Sequence, residues 1–179
     1  MKRSQRIAVS GMLTAFAAVA VILSNLVPTG MYTFPAAAGI VIWVLSFFAG
    51  NSYAVYSYIA VSLLSFILCT NKEAAFCFIL FLGYYPLIRK ALEKIRLKVL
   101  AYLIKLLVFN AAAVSVYLLL VFVFSVPADE FELFGIKLPF LFLGLMNIVF
   151  IVYDTALRLF ERRYREIINK TVTNFFRRF

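Results

Sequence analysis

Residues 33–69 read TFPAAAGIVIWVLSFFAGNSYAVYSYIAVSLLSFILC, apolar almost throughout. As a single helix this stretch would be about 55 Å long at 1.5 Å per residue. A bilayer's hydrocarbon core is only about 30 Å thick. The triplet Gly50-Asn51-Ser52 is a turn signal in the middle of the run. The stretch therefore reads as two membrane helices, 33–49 and 52–69, back to back across a tight turn.

Composition extends that reading to the whole chain. Of 179 residues, 65% are hydrophobic, and the mean hydropathy is +0.99. Ordinary soluble domains are about 45–50% apolar. A chain of this size still exposes much of its surface, so the excess predicts contact with lipid. Long apolar runs, rather than short alternating segments, predict helices and not a barrel. The fold class expected is an all-α integral membrane protein, a single domain of six transmembrane helices. The other four spans are 7–27, 74–88, 99–124 and 138–157. The first follows a basic start, as a signal peptide does. It is longer than a typical signal core and has no small-x-small cleavage site after it, so it reads as a retained helix.

Six spans put both termini on one side, and the basic residues say which. Lys2, Arg3 and Arg6 precede the first span. Arg89, Lys90, Lys94, Arg96 and Lys98 fall between the fourth and fifth. Arg158, Arg162, Arg163, Arg165, Lys170, Arg177 and Arg178 follow the sixth. That is fifteen of the eighteen basic residues, and it predicts a multi-pass membrane protein with both termini cytoplasmic. Lys105 lies within the fifth span. Lys72 and Lys137 fall outside, beside Glu73, Asp129, Glu130 and Glu132. The net charge of +10 needs no nucleic acid, because topology and anionic headgroups account for it.

The sequence also excludes chemistry. It has no His, hence no His-based triad, haem ligation or His-bearing zinc site. Cys69 and Cys77 match no metal or redox spacing. They read as small apolar fillers, with an outer disulfide as the alternative. No Walker loop or Gly-rich fingerprint is present. No cofactor and no enzyme activity are expected, and any uphill transport must draw its energy from another subunit or an ion gradient.

In the first helix, Ser10, Thr14 and Ala18 form one row of small residues, and Gly11 and Ala15 a second. Four-residue spacing places each row on one face. Small residues let another helix approach closely in lipid. Two readings stand: packing inside the bundle, or a docking face for a separate membrane subunit. Ala8 and the small residues 36–39 add to either surface.

The size, the six spans, the basic start running into RIAVSGMLTAFAAV (6–19), and the stretches KEAAFCFILFLGYYP (72–86) and KLLVFNAA (105–112) carry a resemblance. The chain resembles the substrate-binding S component of an energy-coupling factor (ECF) transporter of the Firmicute type. S components show small residues spaced AxxxA in the first helix, where they contact the membrane T subunit. Here Gly11 and Ala15, with Ser10, Thr14 and Ala18, form a looser version. The resemblance implies capture of a small water-soluble solute from outside, a vitamin or related micronutrient. It further implies association with a T subunit and two ATPase subunits, and toppling of the S component to release the solute inside. No vitamin-specific signature is present, so the solute stays open.

A pocket in such a bundle would be lined at its outer end by polar groups among apolar walls. The residues expected there are Asn71, Lys72, Glu73, Asp129, Glu130 and Glu132, with Asn25 and Tyr32 of the first connection as part of a cap. The plainer readings are a solvated loop for 128–137 and, for Lys72-Glu73, a turn whose Glu caps the next helix. Within the membrane, Lys105, Asn110, Asn147 and Asp154 stand out, because intramembrane charge is expensive. Lys105 and Asp154 lie at similar depth and can pair; Asp154 can also pair with Arg158, four residues on. A structural ion pair or snorkelling is the plain reading, an ion pathway the sharper one. The tail 158–179 reads as a basic amphipathic helix on the inner leaflet, an anchor or a coupling contact. The rival classes are a stand-alone secondary transporter and a non-transport membrane protein.

Overall fold

The computed structural model describes residues 2–27, 30–124, 144 and 146–161. Among them there are helices and no strands. We name the helices in chain order: α1 (Arg3–Leu23), α2 (Thr33–Phe48), α3 (Asn51–Leu68), α4 (Lys72–Leu92), α5 (Lys98–Val123) and α6 (146–161). Of these, α1, α3, α4 and α5 are long and apolar enough to cross a membrane. Helix α2 is apolar but has 16 residues, about 24 Å at 1.5 Å per residue. The helices are compatible with a multi-pass membrane protein. Of the expected sixth span 138–157, residues 138–143 and 145 lie outside the described residues, as does the tail beyond Glu161.

The turn at Gly50 divides the long apolar run. Gly50 adopts φ 103° and ψ 164°, a region open almost only to glycine. It caps α3, while Ala49 closes α2 with its N–H on the Leu45 carbonyl. A methyl group there would meet no neighbour within 4 Å, so the glycine serves the backbone alone.

Helices α1, α2 and α3 pack closely around Ala17, Val21, Ala38, Ile42, Leu45, Ala54 and Val61. Helix α1 meets α3 at Thr14 and Ser57. Buried Ala54, Ser57, Val61 and Ser65 form the inner stripe of α3, and Thr14 donates to the Ser57 hydroxyl at 2.6 Å. Outside, Phe16, Leu63, Ile67, Leu107, Phe122 and Val152 are exposed. A bundle with apolar side chains on its outer surface suits lipid.

Helix α4 is the most enclosed, with 56% of its apolar window buried against 17–22% for α1, α3 and α5. It is not a regular α-helix. Residues Phe78–Leu82 form a π-helical turn, closed by the Gly83 N–H on the Phe78 carbonyl at 2.8 Å. The Tyr58 hydroxyl donates to the Ile79 carbonyl at 2.6 Å, meeting one acceptor that this turn exposes. The turn also lets α2 approach closely: a Cβ at Gly39 would stand 2.1 Å from the Leu82 carbonyl oxygen. Pro86 falls in the first turn of the α-helical segment Tyr85–Leu92, where no intrahelical donor is required. The helix therefore continues past it to Leu92, beyond the expected limit at residue 88. From the π turn onward, Phe81, Tyr85, Phe109 and Phe150 form an aromatic layer between α4, α5 and α6. Phe109 and Phe150 stack with centroids 4.7 Å apart.

Candidate functional site

The alternating chain direction creates two polar clusters at opposite ends of the bundle. One lies where α1 runs into α2 and α3 into α4. Asn71 is the N-cap of α4, its side chain accepting from the N–H groups of Glu73 and Ala74 at 3.1 and 3.3 Å. This corrects the expectation that Glu73 is the cap. Glu73 sits in the first turn, where the helix dipole favours an anion. The Tyr32 hydroxyl donates to the Glu73 carboxylate, and the Asn71 N–H donates to the Asn25 side chain at 3.0 Å. Desolvation of the Tyr32 phenol, then its hydrogen bond to Glu73, push its pKa up from the ordinary value, so it stays a donor.

Four of the expected binding residues, Asn25, Tyr32, Asn71 and Glu73, thus come together and join the first connection to the 69–73 turn. Lys72 turns away from them. Its ammonium donates to the Phe66 carbonyl at the end of α3 at 2.9 Å. Asp129, Glu130 and Glu132 lie outside the described residues. Cys69 and Cys77 are both free thiols, not a disulfide.

The small-residue rows of α1 separate. Ser10 and Ala18 are buried and Thr14 is half-buried against α3, so that row is internal packing. Ala8, Gly11 and Ala15 are exposed, and a Cβ at Gly11 would meet nothing within 4 Å.

The other cluster lies where α4 ends, α5 begins and α6 ends. Asp154 of α6 is buried, at 1% exposure. Its Oδ1 accepts from the Tyr85 hydroxyl at 2.6 Å and stands 3.2 Å from Lys105 Nζ and 3.2 Å from Arg89 Nε. Its Oδ2 receives Arg158 at 3.1 Å. Both pairings expected from the sequence form at once, and a third cation joins them. Arg89 also reaches Glu93 at 2.7 Å and Glu161 at 3.5 Å, and Lys105 stands 3.5 Å from Glu93. Three cations thus interleave with three carboxylates, as buried charge requires. Above them, Asn110 and Asn147 exchange two amide hydrogen bonds at 2.9 and 3.0 Å.

Arg89 is a correction to the sequence reading, which counted it in a solvent-facing basic loop. It is 2% exposed. The four-residue spacing of Phe81, Tyr85 and Arg89 was the available signal, since it puts all three on one helix face. Glu93 and Glu161 were missed, each looking like one more charge in a basic stretch.

Beside this network lies a cavity of about 580 Å³. Arg89, Glu93, Lys98, Tyr102, Lys105, Arg158 and Glu161 are among its lining residues. Among the described residues, no group of three His, Cys, Asp or Glu side chains is arranged to hold a metal.

No protein-family model, no curated protein and no solved structure matches the chain.

Proposed function

We propose that this chain is the substrate-binding subunit of an ECF-type importer in a bacterial cell membrane. It binds a small water-soluble solute and is driven by separate T and ATPase subunits. In this reading the chain crosses the membrane six times with both termini in the cytoplasm. The end bearing Asn71 and Glu73 faces outward.

The observation that carries the reading is the pairing of the first connection with the 69–73 turn. Tyr32–Glu73 and Asn25–Asn71 fasten one loop to the other above an apolar bundle. Opening these contacts exposes a carboxylate, a phenol and two amides to a polar solute, and reforming them closes a cap. The exposed row Ala8, Gly11 and Ala15 suits close approach of a T-subunit helix. Native mass spectrometry of the purified chain tests the proposal. It expects one water-soluble metabolite bound per chain, lost in Glu73→Gln, and ATPase subunits copurifying from the native membrane. Protein free of metabolite and free of ATPases from that membrane would sink it.

A second reading, a stand-alone ion-coupled transporter, draws on the buried charges around Asp154. It expects solute uptake by the chain alone in proteoliposomes, without ATP.

A further inference from the structure

The cavity beside Asp154 is far from the cap and plays no part in the proposed capture of solute. Its walls carry four cations, Arg89, Lys98, Lys105 and Arg158, against two carboxylates, Glu93 and Glu161. Asp154, just behind the lining, pairs with three of these cations, so four cations meet three carboxylates and one positive charge is in surplus. The walls are also prearranged. Arg89 and Lys105 are 2% and 3% exposed and fixed by Asp154 and Glu93. Lys98 and Tyr102 are exposed at the start of α5.

The same first turns of α5 carry Val99, Leu100 and Leu103 on the exposed surface. A charged recess thus adjoins an apolar helix surface. At about 580 Å³ the recess falls in the size range of small-molecule sites.

We infer that this cavity binds a phosphate ester carrying net negative charge, supplied either as an anionic lipid headgroup or as a free phosphate ester. Guanidinium groups suit phosphate oxygens through paired N–H donors, and lysines serve as point charges. Basic recesses between membrane helices hold anionic headgroups by the same forces. For a lipid, the acyl chains would run along the exposed apolar residues of α5.

The test uses the full chain in detergent, titrated separately with phosphatidylglycerol, phosphatidylcholine and glycerol 3-phosphate. Native mass spectrometry reads the bound mass. Phosphatidylglycerol retained at least tenfold better than phosphatidylcholine, without binding of glycerol 3-phosphate, upholds the site with lipid as the source. Binding of glycerol 3-phosphate upholds it with a free ester as the source. Either ligand should bind about fivefold more weakly to Lys98→Gln, since each basic residue near an anionic surface is worth about that factor. Lys94→Gln removes an equal charge outside the lining and should leave binding unchanged. Lys98 and Lys94 are both exposed, so both variants should keep the thermal midpoint of the parent. Equal retention of the two lipids with no glycerol 3-phosphate bound would overturn the inference. So would an equal loss in Lys94→Gln and Lys98→Gln, which marks diffuse charge attraction instead of a site.

Discussion

Lys105 Nζ stands 3.2 Å from Asp154 Oδ1, joining α5 to α6 across 49 residues of sequence. Asp154 is the hub of this contact, because Arg89, Arg158 and Tyr85 share its two oxygens. Lys105 is one spoke. Removing one partner of a buried ion pair costs about 3–5 kcal/mol, since the other charge is left uncompensated. Asp154→Leu should therefore destabilise the protein by at least that range, and Lys105→Met by its lower end or less. Unfolding in a mixed-detergent titration measures both. A larger loss for Lys105→Met would refute the hub.

The Asn110–Asn147 pair predicts a measurable coupling. Polar side chains bonded between membrane helices contribute about 0.6 kcal/mol on average, up to about 1.7. Here two hydrogen bonds form, so a double-mutant cycle with Asn110→Ala and Asn147→Ala should return about 1 kcal/mol. A coupling near zero would mean that the amides find equally good partners elsewhere.

At Gly39 the α2 backbone lies against the π turn of α4. A Cβ there would clash with the Leu82 carbonyl oxygen at 2.1 Å, which is backbone and cannot swing aside. Gly39→Ala should lower stability by about 1–3 kcal/mol, whereas Gly11→Ala, with open space around it, should be neutral or slightly stabilising through helix propensity. Thermal unfolding of the two variants side by side checks the contrast.

Gly50→Ala should cost about 1–3 kcal/mol for backbone reasons alone, because its Cβ would meet no neighbour. Gly50→Asn should cost about as much as Gly50→Ala, since the tolerance of Asn for positive φ is confined to the left-handed helical region and Gly50, at ψ 164°, lies outside it.

Topology makes a separate prediction. In whole cells, a cysteine replacing Lys72 should react with an impermeant maleimide, and one replacing Lys94 should not. The background is a variant with Cys69 and Cys77 replaced by Ala. The opposite labelling would invert the orientation. For partner docking, Ala15→Trp should reduce ATP-driven uptake while solute binding and thermal stability hold, because Ala15 is exposed. Uptake unchanged in a stably folded Ala15→Trp would remove this face as the docking surface.

The α2–α3 division was legible because it rests on local chemistry: only glycine readily adopts the Gly50 backbone. The Lys105–Asp154 pair was legible because charges at equal depth in an apolar setting have few alternatives. Helix α4 was harder. Its expected limit at residue 88 fell short because the basic residues from Arg89 onward look like a connection, and the π turn leaves no distinctive sequence mark. The cap at Asn71 was assigned to Glu73 because both residue types favour a helix start, and only backbone geometry separates N-cap from first turn.

By itself the sequence determined that this chain is helical and rich in apolar surface, since those properties follow from composition and local spacing. The tertiary structure decided which small residues of α1 face α3 and which face outward, because rotation of a helix about its axis is set by its neighbours. It also decided that Arg89 is interior, and that four cations and two carboxylates share one cavity. That grouping joins the consecutive helices α4 and α5 to α6, which is distant in sequence, and only packing brings α6 to the same place.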